Sequence, residues 1–294
     1  MTYGAEKKRR TKKNKTKLIF LPFKIFLVLL FGLFVWYSLF NLVFNHTEDA
    51  TEASSSSVYD PYENVPLHSY NWDNLSVSPG RIEYTDDKGI KALQGVDVSH
   101  YQGNINWQKV KASGISFTML RIGYRGYKSG KIIQDTNFIQ NMNQALSAGI
   151  HVGVYFFSQA ITEEEAIEEA DFVLQSIDGY KVTYPLVFDL EEISSSDHRA
   201  YSLTKEQRTK IAIAFCKRIG SAGYTPMIYG NGSWLTDCYD LNQISDFDIW
   251  LAQYANCPTF PYDFKMWQYT NAGYVDGINH VVDIDLCFEP YNKD

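Results

Sequence analysis

Tyr184-Pro185-Leu186-Val187-Phe188-Asp189-Leu190-Glu191 is an apolar run that closes on two carboxylates. It reads as a buried strand, and side chains at i and i+2 of a strand point to the same side. Asp189 and Glu191 therefore share one patch of space. Two like charges so close raise the pKa of one partner. An acid kept protonated beside a carboxylate is the equipment for cleaving a glycosidic bond. A bare D-x-E can equally be two acids exposed at a strand end, so its neighbours decide.

Outward from this run, short apolar strands alternate with helical patterns. The strands are Gly95–Ser99, Phe117–Tyr124, His151–Ser158, Tyr184–Glu191, Thr225–Asn231, Asp248–Tyr254, Phe264–Thr270 and Val281–Phe288. The helices are Trp107–Ala112, Asp135–Ala148, Thr162–Ser176 and Thr204–Ala222. Asp135 and Thr162 are natural N-caps, and Glu165 completes a capping box with Thr162. Gly149 and Gly223 stop their helices. The pattern predicts an α/β fold: an irregular (β/α) barrel of eight strands with fewer than eight helices. The helices fade after residue 222, where the last three connections are too short for full ones.

Reactive groups in such barrels gather at the C-terminal ends of the strands. Those ends carry Asp97, Asp189, Glu191 and Asp283 as candidate catalytic acids. Arg121, Tyr155, Tyr229, Trp250, Tyr254, Trp267 and Gln268 are candidate substrate contacts. Tyr155, Tyr229, Trp250 and Trp267 are the candidates for a sugar platform. Acids and aromatics with few bases suit protonation of a neutral polysaccharide rather than attack on a phosphate ester. A barrel also buries aromatics in its core, Asp97 could cap a turn, and Asp283 could pair with Arg121. Four acids from three strands at one end are harder to explain that way. No glycine-rich phosphate loop or G-x-S-x-G elbow occurs, and His100 lacks a metal-ligand companion. Neither a metal nor a cofactor is expected.

The order of motifs resembles glycoside hydrolase family 25, the lysozyme-type muramidases. Gly95-Val96-Asp97-Val98-Ser99-His100-Tyr101-Gln102-Gly103 followed by Ile105-Asn106-Trp107 resembles that family's opening. The likeness continues through Leu120-Arg121, Asp135-x-x-Phe138, Ala148-Gly149-Ile150, Gly153-x-Tyr155 and Phe188-Asp189-Leu190-Glu191. It ends with Ile249-Trp250-Leu251-Ala252, Trp267-Gln268-Tyr269 and Val282-Asp283-Ile284-Asp285, and covers roughly residues 92–294. The resemblance implies hydrolysis of the β-1,4 bond between N-acetylmuramic acid and N-acetylglucosamine in peptidoglycan. It implies Glu191 as general acid, Asp189 as its acidic partner, and Asp97 and Asp283 as the other site acids. Asp189 is then either a nucleophile or the orienter of the substrate's own acetamide. Asn106 and Phe156 depart from residues common in the family, and neither touches the four acids.

Charge and hydropathy are uneven. Residues 1–24 carry nine Lys and Arg against Glu6, a net of +8, leaving −15 on the rest of a chain that totals −7. Residues 25–44, IFLVLLFGLFVWYSLFNLVF, hold no charge and have the length of a membrane-crossing helix. The cationic flank orients such a helix with the N-terminus in the cytoplasm. The stretch is longer than a signal-peptide core and lacks a small-residue cleavage site. The expectation is a basic cytoplasmic tail (1–24), a single-pass anchor (25–44) and an extracytoplasmic stalk (45–91). A hairpin at 81–93 then leads into a hydrolase barrel (92–294) in contact with peptidoglycan glycan strands. The basic end abuts the apolar stretch, so it is not a nucleic-acid domain. Four cysteines, Cys216, Cys238, Cys257 and Cys287, admit three pairings; Cys216 reads as core, and a Cys238–Cys257 bridge stays open. Two other functions remain: a wall-binding module with weak catalysis, and a tethered component of an envelope-spanning assembly. A metal-dependent deacetylase is more remote.

Overall fold

Eight strands close into a barrel in this computed structural model, which describes residues 62–193 and 195–291. The segments 1–24, 25–44 and 45–61, and with them the expected tail, anchor and start of the stalk, lie outside the described residues.

The described chain opens with a hairpin of β1 (Leu75–Ser78) and β2 (Arg81–Tyr84). The barrel strands are β3 (Leu93–Val98), β4 (Phe117–Arg125), β6 (His151–Phe157), β7 (Leu186–Asp189), β8 (Pro226–Asn231), β9 (Asp248–Ala252), β10 (Met266–Gly273) and β11 (Val282–Cys287). β5 (Ile132–Gln134) folds back antiparallel on β4. All pairings from β3 through β10 around the barrel are parallel, and antiparallel β11 closes the gap between β10 and β3.

Among the described residues six α-helices surround the strands: α1 (Trp107–Ala112), α2 (Phe138–Ser147), α3 (Glu163–Ser176), α4 (Lys205–Ser221), α5 (Gly232–Cys238) and α6 (Leu241–Ile244). Helix α3 buries Ala166, Glu169, Ala170 and Val173, the i, i+3, i+4, i+7 stripe of a helix with one face on the sheet. Gly149 and Gly223 follow α2 and α4 at φ of 71° and 88°, the left-handed geometry that ends a helix.

Several expectations need correcting. α2 starts at Phe138, and Asp135 is not its cap. Asp135 instead accepts from the Asn137 N–H and receives Arg121. Thr162 does cap α3, but the Glu165 carboxylate reaches back to the Ile161 N–H, so the reciprocal box is not closed on Thr162. The connection after β8 holds only two short helices, α5 and α6, in keeping with a connection too short for a full one. β7 ends at Asp189, so Glu191 stands just past the strand. All four cysteines are free, which removes the Cys238–Cys257 bridge.

Residues 62–91 are part of the barrel domain rather than a stalk. Tyr62 and Val65 are buried, and Leu67 forms a bridge with Tyr262. The Tyr70 hydroxyl donates to the Phe264 carbonyl at 2.6 Å, and its ring stacks on Phe288 at 4.2 Å. The expected hairpin survives as a single bridge between Thr85 and Lys91, while β2 pairs with the preceding β1.

Two apolar layers follow from strand alternation. Outward side chains such as Val96, Leu120, Phe188 and Trp267 pack with the helices. Inward ones, including Phe117, Met119, Val187, Met227, Trp250 and Met266, fill the lumen. Gly95 is required there, because a Cβ would lie inside the Phe117 ring that stacks on Tyr184 at 4.7 Å. This packing plugs the lumen at the N-terminal ends of the parallel strands. The C-terminal ends stay open.

Candidate active site

Most inward positions at the open end carry a polar or aromatic group. Together they line one cavity of about 510 Å³. Asp97, Asp189, Glu191, Asp283, Arg121, Tyr155, Tyr229, Trp250 and Gln268 all face it. Tyr254 is half exposed at its rim, and its hydroxyl donates to Gln268 Oε1 at 2.9 Å. Trp267 does not face it. Its neighbour Gln268 points inward, so strand alternation turns Trp267 outward, where it is fully buried and donates to the Gln253 carbonyl. Trp250 is only 2 % exposed and forms the floor rather than a surface for stacking sugars.

The acids form two pairs and a fifth member. Asp283 stands directly opposite Asp97 in the β11–β3 ladder, and their side chains are hydrogen-bonded. Like charges so placed repel, so the pair holds a proton. Burial, then the charges of Asp283 and Asp285, push the Asp97 carboxyl well above the usual range. Gln268 Nε2 donates to Asp97 Oδ2 at 2.8 Å, and the Tyr229 hydroxyl donates to Gln268 Oε1 at 2.9 Å. Asp283 therefore does not pair with Arg121, and Asp97 caps no turn; Ser99 caps the following 3-10 turn instead.

On another wall Asp189 and Glu191 are hydrogen-bonded to each other. Burial, then the Glu191 charge, raises Asp189 well above the carboxylate range. Burial also raises Glu191, helped by Asp283 and opposed by the hydrogen bond from Asp189. Asp189 is the deeper member at 3 % exposed, and Glu191 is the one nearer the opening. One proton is thus held between them, with Glu191 positioned to deliver it.

Asp285 lies one inward position below Asp283 and is fully buried. It accepts from Trp250 Nε1 at 3.0 Å, while its Oδ2 is buried without a hydrogen-bond partner. A lone buried oxygen favours the neutral acid, and burial raises its pKa well above the ordinary value. The sequence signal for Asp285 was its i+2 spacing from Asp283. Arg121, the one guanidinium lining the cavity among the described residues, is itself neutralised: Nε and Nη2 donate to Asp135 Oδ2 at 2.9 and 2.7 Å. Burial opposes ionisation of Asp135, yet donation from the Asn137 N–H, Arg121 and the His100 N–H holds its pKa below the usual range. Ser99, His100, Tyr101, Gln102, Tyr124, Tyr127 and Phe157 complete the lining; Tyr124 and Phe157 stand at strand ends that the sequence places at the mouth, whereas Tyr127 sits on a loop that no strand end locates. Among the described residues no group of three or more His, Cys, Asp or Glu side chains is arranged to hold a metal ion.

These shifts have a sign in stability. An acid whose folded pKa is raised binds its proton more tightly when folded, so stability falls as pH rises from the unfolded value, about 4, through the raised one. Asp135, with a lowered pKa, costs stability only below about pH 4. The melting temperature should therefore be higher near pH 5 than at pH 8. Asp285→Asn keeps an acceptor for Trp250 and should flatten that slope, raising the pH 8 value by roughly 2–4 °C per kcal/mol gained. Thermal melts across this range check it, and a melting temperature that climbs steadily to pH 8 contradicts it.

The chain matches the family model described as glycosyl hydrolases family 25 over residues 96–278. It is 30% identical over 201 residues to Lysozyme M1 of Streptomyces globisporus, covering 65% of this chain and 66% of that one. The crystal structure of the bacterial lysozyme from Streptomyces coelicolor superposes with a TM-score of 0.55 at 26% identity, over 69% of this chain and 93% of the other. The modular autolysin LytC from Streptococcus pneumoniae shares the fold, with a TM-score of 0.60 at 24% identity, over 72% of this chain. The chain spans about half of LytC (52%) and just under two thirds of Lysozyme M1.

Proposed function

The chain belongs to glycosyl hydrolases family 25, and from that premise we propose that it hydrolyses peptidoglycan at the β-1,4 bond between N-acetylmuramic acid and N-acetylglucosamine. The observation that carries this reading is two hydrogen-bonded carboxyl pairs facing one cavity whose lining guanidinium is already neutralised. Such a site can protonate a leaving oxygen and stabilise positive charge at a sugar carbon. It offers little to a phosphate.

In this reading Glu191 gives its proton to the glycosidic oxygen, and Asp189, hydrogen-bonded behind it, keeps the pair supplied. Positive charge builds at the muramic C1 and is met by the substrate's own acetamide oxygen, which Asp189 orients. The spacing of the carboxyls favours assistance. A retaining acid and nucleophile straddle the anomeric carbon, whereas Asp189 and Glu191 stand two residues apart on one wall of the cavity. Asp97, Asp283 and Gln268 form the opposite wall and receive sugar hydroxyls.

The segment 25–44 has the composition of a single-pass anchor, and the preceding +8 flank favours a cytoplasmic N-terminus. In this proposal the barrel works outside the membrane, on glycan within reach of its tether. Mass spectrometry of products from purified peptidoglycan tests the activity: reducing-end muramic acid is the expected result. Reducing-end glucosamine would make it a glucosaminidase, and intact glycan would leave only a binding module.

A further inference from the structure

One loop beside the cavity is held far more firmly than a surface turn requires. Residues 126–131 join β4 to β5, and the side chain they send into the cavity is Tyr127. Arg125, only 3 % exposed in its side chain, anchors the loop from behind. Its Nη1 donates to the Gly130 carbonyl at 2.7 Å, Nε to Glu169 at 2.6 Å and Nη2 to Glu168 at 2.8 Å. The Arg199 N–H donates to the Tyr127 carbonyl at 3.0 Å, and Lys128 is ion-paired with Asp197. Arg199 is tied to Glu165 on α3 at 2.6 Å. The loop bearing Tyr127 and the segment following Glu191 are thus fastened to each other and to one helix.

What this framework presents is an aromatic face. Tyr127 is 48 % exposed, and its ring rests edge-to-face against Phe157 at 6.1 Å. Tyr101, 69 % exposed, also lines the cavity, with the Arg121 guanidinium 5.2 Å from its ring centre. Of the aromatics expected to stack sugars, Trp250, Trp267 and Tyr229 are buried and Tyr155 is partly exposed, so the widely exposed ring faces come from elsewhere. A held aromatic loses little freedom on binding, which is how preorganisation gains affinity. Ring faces suit the apolar C–H face of a neutral pyranose.

We propose that Tyr127 is a specificity-determining residue that stacks on a pyranose of the glycan strand beside the bond to be cut, and that Arg199 is a positioning residue whose side chain, tied to Glu165, fixes the segment whose backbone N–H holds the Tyr127 carbonyl. This rests on the glycan-hydrolase reading. The test uses the full chain carrying Glu191→Gln, so that nothing is turned over, and measures equilibrium binding of a β-1,4-linked N-acetylglucosamine hexamer and of purified glycan strands. Adding Tyr127→Ala should weaken binding at least about tenfold, while Tyr127→Phe stays within about threefold because the ring face remains. Arg199→Ala should give an intermediate loss, and in the active chain a rise in KM that outweighs any fall in kcat. Equal binding by Tyr127→Ala overturns the assignment, as does a loss with Tyr127→Phe as large as with alanine, which would make the hydroxyl the working group. If the Glu191→Gln chain binds neither ligand, the glycan reading itself fails.

Discussion

Replacing Glu191 by Gln is expected to lower kcat on peptidoglycan by about 10³-fold or more, the upper range for loss of a general acid. That corresponds to about 4 kcal/mol of barrier. The substitution is close to isosteric and retains a hydrogen-bonding partner for Asp189. It also removes one charge from a crowded cavity where burial already disfavours ionisation. The melting temperature at pH 8 should therefore hold or rise while lysis disappears. A turbidity assay on purified walls and a thermal melt read both quantities. Lysis within tenfold of the parent would remove Glu191 from the acid role. The next candidate would then be the Asp97–Asp283 pair, the other hydrogen-bonded acids in the cavity.

The strand pattern was readable because buried strands leave a strong local signal. Eight apolar runs separated by helix caps and stop glycines define eight strands, and strand ends locate the mouth without any knowledge of contacts. Parity was equally available but must be applied residue by residue. Trp267 and Gln268 are adjacent in one strand and cannot both face the lumen; Gln268 does, through Asp97. The same rule read downward from Asp283 leads to Asp285, which lies beneath it. Other features left no periodic trace. Residues 62–74 dock through scattered aromatics, Tyr62, Tyr70 and Trp72, whose partners Tyr262, Phe264 and Phe288 lie about 200 positions later. Polar composition between them resembles a linker. The Tyr127 loop depends on Arg125 meeting α3 and on Arg199 meeting Tyr127, and no local spacing foretells either contact. The two short helices after β8 fall below the length at which an amphipathic stripe stands out.

Asp189→Asn separates the two mechanisms left open by the D-x-E motif. Asp189 is buried, its Oδ1 has no hydrogen-bond partner, and it is bonded directly to Glu191. An asparagine keeps this shape and can still donate to Glu191, but it can neither carry charge nor pass on a proton. Loss of that oriented charge is expected to lower kcat by about 10²–10³-fold. The pH profile should change as well. In the parent, two coupled carboxyls lose protons in macroscopic steps that belong to the pair. In the variant only Glu191 titrates there, still raised by burial and by Asp283, so the alkaline limb should simplify to a single ionisation. If the acetamide is the internal nucleophile, removing N-acetyl groups from the glycan should slow the parent by a similar factor and add little to the loss in Asp189→Asn. If Asp189 is the nucleophile, deacetylated glycan would still be cut, and a glycosyl adduct of Asp189 would accumulate with a slow substrate. Asp189 and Glu191 share one wall of the cavity rather than flanking an anomeric carbon, so the adduct should be absent.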